Sequence, residues 1–214
     1  MPWTGEIVDA LESKGQLKKT LIVFLSDNGG KVGAGANKGL LQRGKGSVYD
    51  GGYRVPMFFH WPGTVEAGNT YQHPVSALDF FPTFAGLGDA KIPSDKTLDG
   101  LDIWNDFLQG SNPRPKDPVF MMRHHAELSN LGVRRGSWKA SCIGKRWQLF
   151  NLDDDIEEVN DLSQQHPELL NLMRDQAESW ARPHPQPAWF DNIKSRDHWM
   201  DSNMPHLPTM FPGK

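Results

Sequence analysis

The stretch from Thr20 to Pro62 constrains this chain more than any other part of it. It opens with Leu21 to Leu25, an apolar run of strand length rich in β-branched and aromatic residues, which predicts a buried strand. Ser26-Asp27-Asn28-Gly29-Gly30 then breaks the run. A carboxylate and an amide side by side where a buried strand stops put two hard oxygen donors at a strand's carboxyl end, where open α/β sheets bind their ligands. Oxygen donors suit Ca2+ or Mg2+, which makes Asp27 and Asn28 candidate metal ligands. The competing reading is a plain turn, because Asp, Asn and Gly are common turn residues.

From Gly29 to Tyr49 there are four cations, Lys31, Lys38, Arg43 and Lys45, and no acid. A glycine-rich, purely basic loop of this length inside a compact chain is usually either functional or disordered. Its functional reading is a site for an anionic group. Gly39-Leu40-Leu41-Gln42-Arg43-Gly44-Lys45-Gly46 falls one residue short of a phosphate-cradling G-x-x-x-x-G-K-S/T loop. Gly46 has no oxygen to offer Mg2+, Ser47 comes one place late, and neither a leading strand nor a following helix is present in the pattern.

A different pattern fits in order and in spacing: S-D-N-G-G at Ser26 to Gly30, the basic spacer, G-K-G-S-V-Y-D-G-G-Y-R-V-P at Gly44 to Pro56, then W-P-G at Trp61 to Gly63. This series closely resembles the second half of the sulfatases, within the alkaline phosphatase superfamily. The resemblance implies that Asp27 and Asn28 bind a catalytic divalent cation, Ca2+ or Mg2+, and that Lys45 contacts the sulfate ester as a substrate-binding and catalytic residue. Asp50 stands where the family usually carries Glu. A lysine suits that role: its compact ammonium on a flexible stem can sit against a sulfuryl oxygen, and a fixed positive charge there stabilises charge developing in the transition state. Arg54 reads as a structural guanidinium bracing the turn before Pro56.

The resemblance runs from residue 5 to residue 182, through G-x-I-x-x-A-L at Gly5 to Leu11, the LDG at Leu98 to Gly100, and W-x-L-F-N-L-D-D-D-x-x-E-x-N-D-L at Trp147 to Leu162. It implies an α/β fold: the C-terminal portion of an alkaline-phosphatase-like sheet with helices, followed by a small α+β subdomain of an antiparallel sheet plus one long helix. The expected partition is 1–110 for the C-terminal part of the catalytic domain, 111–182 for the subdomain and 183–214 for a Pro-rich tail. In the family the nucleophile is a formylglycine made from Cys or Ser in a C/S-x-P-x-R motif, upstream of S-D-N-G together with two further metal-binding aspartates. No such motif precedes Asp27 here. The expectation is a sulfuric ester hydrolase fragment whose partners are a sulfate ester substrate, including a sulfated glycan, and the missing N-terminal half of the catalytic domain. Alone it should show no turnover. Two decoys fail the motif: Cys142-Ile143-Gly144-Lys145-Arg146 has Gly in place of Pro, and Ser111-Asn112-Pro113-Arg114 has its Arg one place early. A related phosphodiesterase or phosphonate hydrolase, and a non-catalytic anion- or sulfated-glycan-binding fragment, are the alternatives.

Composition narrows the remainder. The 214 residues can bury a real core, and the formal charge of −3 argues against a general nucleic-acid binder, so the basic loop is a local feature. No apolar run approaches membrane-spanning length. The single cysteine permits no internal disulfide, and Met1 to Glu6 has neither the basic start nor the apolar core of a signal peptide. A periplasmic or extracellular location is suggested by the family resemblance alone.

Along the chain, Trp3, Ile7, Val8 and Leu11 share one helical face and Gly15 is placed to stop the helix. Val55 to Trp61 reads as a second strand, and Ser76 to Leu87 as a short helix that Asp79 could cap. The three prolines between Gly110 and Pro118 suggest a linker. Val119 to Arg123, Leu131 to Arg134, Trp138 to Cys142 and Trp147 to Leu152 are spaced for a small antiparallel sheet, with His166 to Trp180 as a covering helix. Asp153, Asp154 and Asp155 invite a calcium reading but lack the glycine and distal glutamate of a loop-type site. His124 and His125 follow a strand and could reach the cleft, as proton donors near neutral pH.

Overall fold

The computed structural model describes residues 2–125, 128–143 and 146–184. Its elements in chain order are α1 (Pro2–Ser13), β1 (Ile22–Leu25), α2 (Asp50–Tyr53), β2 (Met57–His60), α3 (Phe80–Leu87), α4 (Trp104–Gln109), β3 (Val119–His125), β4 (Leu128–Arg135), β5 (Trp138–Ile143), β6 (Arg146–Asn151) and α5 (Pro167–Ala181). They group into two compact units. One joins the chain up to Ser26 with Pro56–Pro113; the other joins Asp27–Val55 with the chain from Arg114 onward.

In the first unit α1 stops at a glycine in the left-handed region. Gly15 has φ +64°, and Gly15 and Gln16 donate their N–H groups to Glu12 and Leu11. β1 pairs antiparallel with β2, Ile22 opposite His60 and Leu25 opposite Met57, in a two-stranded sheet. Aromatic rings hold this unit together: Phe24 lies 5.7 Å from Phe58, and Phe59 lies 4.6 Å from Phe107. The predicted helix at Ser76 starts as a short 3-10 turn, Ala77–Asp79, before α3. Ser76 is the cap, its hydroxyl accepting from the Leu78 N–H, while Asp79 reaches back to accept from the Ser76 N–H at 2.8 Å. The other Asp79 oxygen accepts from the Leu101 N–H at 3.0 Å, which ties the LDG segment to the cap.

The second unit is built on the antiparallel sheet β3-β4-β5-β6 in sequence order. Alternation along each strand sorts its residues onto two faces. Leu131, Val133, Ala140, Cys142 and Leu149 are buried against Met173, Ala177 and Ala181 of α5, which are four residues apart and so line one side of the helix. Pro167 opens α5 at its first position, where a missing N–H costs nothing. The opposite sheet face carries Met121, Gly132, Lys139 and Phe150, and the stretch from Val48 to Gly52 covers it. Val48 is fully buried over Gly132, and Tyr49 packs on Phe150 and donates its O–H to Gln148 at 2.6 Å. The sheet is thus sandwiched, helix on one side and the motif-bearing loop on the other.

Candidate functional site

The residues singled out in sequence, Asp27, Asn28 and Lys45, all lie in the second unit, on the loop system that covers the sheet. Three backbone bonds draw its ends together. Gly29 N–H donates to Gly52 O at 2.9 Å, Lys45 N–H to Gly30 O at 3.0 Å, and Gly51 N–H to Gln42 O at 3.0 Å. The approach is too close for a side chain, since a Cβ on Gly29 would lie 1.8 Å from the Gly51 carbonyl oxygen. The glycines of S-D-N-G-G and D-G-G therefore let the metal-ligand candidates and the lysine segment share one backbone platform.

Asp27 is exposed and Asn28 half-buried, with the Asn28 amide donating to Asp27 Oδ2 at 2.5 Å. Their oxygens fit a hard dication, which takes about six to eight oxygen ligands and so needs more than this pair supplies. Among the described residues no group of three or more His, Cys, Asp or Glu is arranged to hold a metal. Of the loop's four cations, two have local partners: Lys38 donates to the Leu41 carbonyl at 2.6 Å, and the Arg43 guanidinium lies 5.3 Å from the Tyr49 ring centroid. Lys45 is exposed, and among the described residues no hydrogen bond or ion pair engages its ammonium.

Asp50, the residue in the family's Glu position, does something the sequence did not reveal. It is buried and accepts from Lys139 Nζ at 2.5 Å, while Glu158 Oε1 lies 3.0 Å from the same ammonium. Glu158 also accepts from the Asp50 N–H at 2.7 Å. Lys139 on β5 is fully buried, so this is a buried triad of one cation and two carboxylates that clamps the D-G-G turn to the sheet. Burial pushes the Glu158 carboxyl above the ordinary range, with the Lys139 charge acting against it. Arg54 approaches Asp50 Oδ2 only to 3.6 Å from a side chain 47% exposed, a solvent-screened pair and a minor contributor to the turn.

The remaining candidates are placed as follows. Cys142 is fully buried in the α5 interface, and burial pushes its thiol up to about 12, the behaviour of a packed hydrophobe and not a nucleophile. Ser111 donates its hydroxyl to Asp106 at 2.6 Å. Asp155 is buried and accepts from the N–H groups of Val159 and Asn160, and Asp154 accepts from the Asn151 amide, so the acidic run builds a turn. His124 and His125 lie on β3, but their side chains, and the tail from residue 185 with Trp189 and Trp199, lie outside the described residues. An apolar cleft of about 260 Å³ in the first unit, lined by Leu21, Trp61, Phe84, Leu87 and Gly88, contains none of the predicted site residues.

Comparison with known proteins adds the family. The family model for sulfatases matches residues 3–90. Human arylsulfatase A is 32% identical over 184 residues, covering 82% of this chain and 36% of the relative. The structure of Ps i-CgsB in complex with k-i-k-neocarrahexaose is 42% identical with a TM-score of 0.91, covering 98% of this chain and 47% of that one. A Bacteroides thetaiotaomicron structure from work on glycosaminoglycan metabolism, BT33336S-sulf, is 25% identical with a TM-score of 0.71, covering 83% and 42%. The chain thus spans less than half the length of each of these relatives.

Proposed function

We propose that this chain, which belongs to the sulfatase family over residues 3–90, is the part of a metal-dependent sulfuric ester hydrolase that holds the sulfate ester through Lys45 and contributes Asp27 and Asn28 to a Ca2+ or Mg2+ site. The observation that carries this reading is the backbone bond from Lys45 to Gly30, two residues beyond Asn28, which joins the main chain of an exposed lysine to the segment that carries the two oxygen donors. A cation and a pair of metal-ligating oxygens on one platform suit an anionic ester whose oxygens contact both.

A bound divalent cation would activate the nucleophile and offset negative charge on the sulfuryl oxygens. Lys45 would bind and orient those oxygens, and the buried triad would hold the turn that follows Lys45 in place. The nucleophile, a formylglycine by family resemblance, and the further metal ligands are assigned to an upstream half of a larger protein. In that protein the first unit belongs to an alkaline-phosphatase-like domain and the four-stranded sheet with α5 to its C-terminal subdomain. A sulfated glycan is the favoured substrate class, supported by the 42% identity to a protein crystallised with a carrageenan-type oligosaccharide.

The test is hydrolysis by a protein that joins this chain to an upstream C/S-x-P-x-R half, with matched aryl sulfate and aryl phosphate esters. Faster turnover of the sulfate is expected, and loss of activity in EDTA. Preference for the phosphate would assign the chain to the phosphodiesterase branch, and metal-independent turnover would refute the metal assignment.

A further inference from the structure

We propose that Glu158 is a positioning residue for Lys45: it grips both ends of the loop that carries the lysine, so that the affinity of the folded protein for a sulfate ester depends on a turn far along the chain. The inference deepens the reading of Lys45 given above and rests on it.

The loop is closed and densely packed. Gly51 N–H donates to the Gln42 carbonyl at 3.0 Å, which brings the two ends of the segment 42–51 together with Lys45 between them. Inside it backbone meets backbone. A Cβ on Gly51 would lie 2.3 Å from the Gln42 carbonyl oxygen, one on Gly52 2.1 Å from that of Ser47, and one on Gly44 2.5 Å from that of Gly30. Groups packed this closely leave the segment little freedom to bend, so a hold on its ends fixes what lies between them.

Glu158 supplies that hold at both ends. Its Oε2 accepts from the Asp50 N–H at 2.7 Å, next to Gly51, and its backbone carbonyl accepts from Gln42 Nε2 at 3.4 Å. Its Oε1 lies 3.0 Å from Lys139 Nζ, which anchors the fully buried carboxylate to β5. The residue has φ +52°, in the left-handed region that side chains rarely adopt. A glycine would meet that backbone without strain, so a glutamate there points to a need for its carboxylate. The acidic run holds the conformation in place. Glu158 N–H donates to the Asp155 carbonyl at 3.2 Å, and the Asp155 carboxylate accepts from the Val159 and Asn160 N–H groups at 3.2 and 2.8 Å. The turn that invites a calcium reading in sequence thus presents one carboxylate to the motif loop.

The consequence for binding is entropic. A lysine on a freely moving, glycine-rich loop would have to be ordered each time an anion binds, and that cost is subtracted from affinity. With Glu158 in place the ordering is complete once the chain has folded.

The experiment measures aryl sulfate binding by the 214-residue chain at low salt, at a temperature where each variant is folded by its own melt, together with amide hydrogen exchange at Lys45. Glu158→Ala should weaken binding about tenfold and speed exchange of the Lys45 amide, which donates to Gly30, relative to the sheet amides. Glu158→Gln keeps an oxygen that accepts from Asp50 and should restore affinity to within about threefold of the unmodified chain. Met173→Ala, which loosens the α5 side of the sheet, should lower the melting temperature and leave the affinity of the folded protein within about twofold. Full affinity in Glu158→Ala would reduce Glu158 to the same stabilising role as Met173 and overturn the proposal. So would a glutamine variant as weak as the alanine one. Should Glu158→Ala lose its cooperative melt, Gln42→Ala decides, because it cuts only the other tie: faster exchange of the Lys45 amide supports the proposal, and unchanged exchange overturns it. Lys45→Ala separates the two readings. Undiminished aryl sulfate binding there sinks the sulfate-ester assignment itself, whereas loss of binding there with full affinity in Glu158→Ala sinks only the positioning inference.

Discussion

At the scale of single residues, the site depends on side chains that solvent never sees. Lys139 is encased with Asp50 and Glu158, and removing one member of a buried ionic group leaves the others uncompensated. Lys139→Ala should therefore cost about 3–5 kcal/mol of stability in denaturant titrations. A loss within the range of an ordinary surface substitution would show that the clamp is not formed. Glu158 adds a dependence on pH. Its folded-state carboxyl titrates above the ordinary value of 4.5, so its protonated form is favoured by folding, and its contribution to stability is fully present below 4.5 and is lost as pH rises through the raised value. Compared with Glu158→Gln, the melting temperature of the unmodified chain should gain as the pH is lowered from neutrality towards 4.5; a difference that stays flat or shrinks would contradict the assigned direction. Asp27, Asn28 and Lys45 were nominated from sequence because a motif fixes their spacing. The triad was not, because Asp50 finds Lys139 across 89 residues and Glu158 across 108, and no local pattern encodes a contact of that range.

At the scale of elements, alternation and helical period carried most of the information. The four strands and α5 emerge where apolar residues repeat at the right interval, and their ends shift by a few residues because the ladder continues past the last apolar side chain. The helix after Val75 was placed correctly, but its cap is Ser76, with Asp79 as the reciprocal acceptor, since either residue can terminate a helix and only the backbone trace decides. Lys139 hid in a strand that reads as an ordinary apolar-polar alternation, where a polar residue normally faces solvent. In this strand the polar face lies beneath the motif loop. The loop's own packing makes a prediction at this scale. Gly29→Ala forces a Cβ into the Gly51 carbonyl and should lower stability by about 1–3 kcal/mol. Gly5→Ala, in an α1 position with nothing within 4 Å, should be neutral or raise stability by about 0.5–1 kcal/mol. Equal behaviour of the two variants in urea melts would mean that the backbone platform is looser than described.

At the scale of the whole molecule, the second unit brings together parts of the sequence that lie far apart. Asp27–Val55 folds against strands that begin only at Val119, so the motif-bearing loop is stabilised by the C-terminal sheet in preference to the strand that immediately precedes it. That arrangement explains how a loop rich in glycine and positive charge keeps one shape: its centre, Val48 to Gly52, is buried, and its polar ends point outward. Family, motif order and the α5-covered sheet were readable from sequence; the surface on which the loop rests was not, because alternation gives two faces to a strand and does not say which element covers each. The most direct measurement is a titration of the 214-residue chain with an aryl sulfate at low salt, beside the Lys45→Ala variant. Saturable binding that weakens with added salt and disappears in the variant is the predicted result. Equal binding by both proteins would contradict the assignment of Lys45 to the sulfate ester, and with it the functional reading of the site.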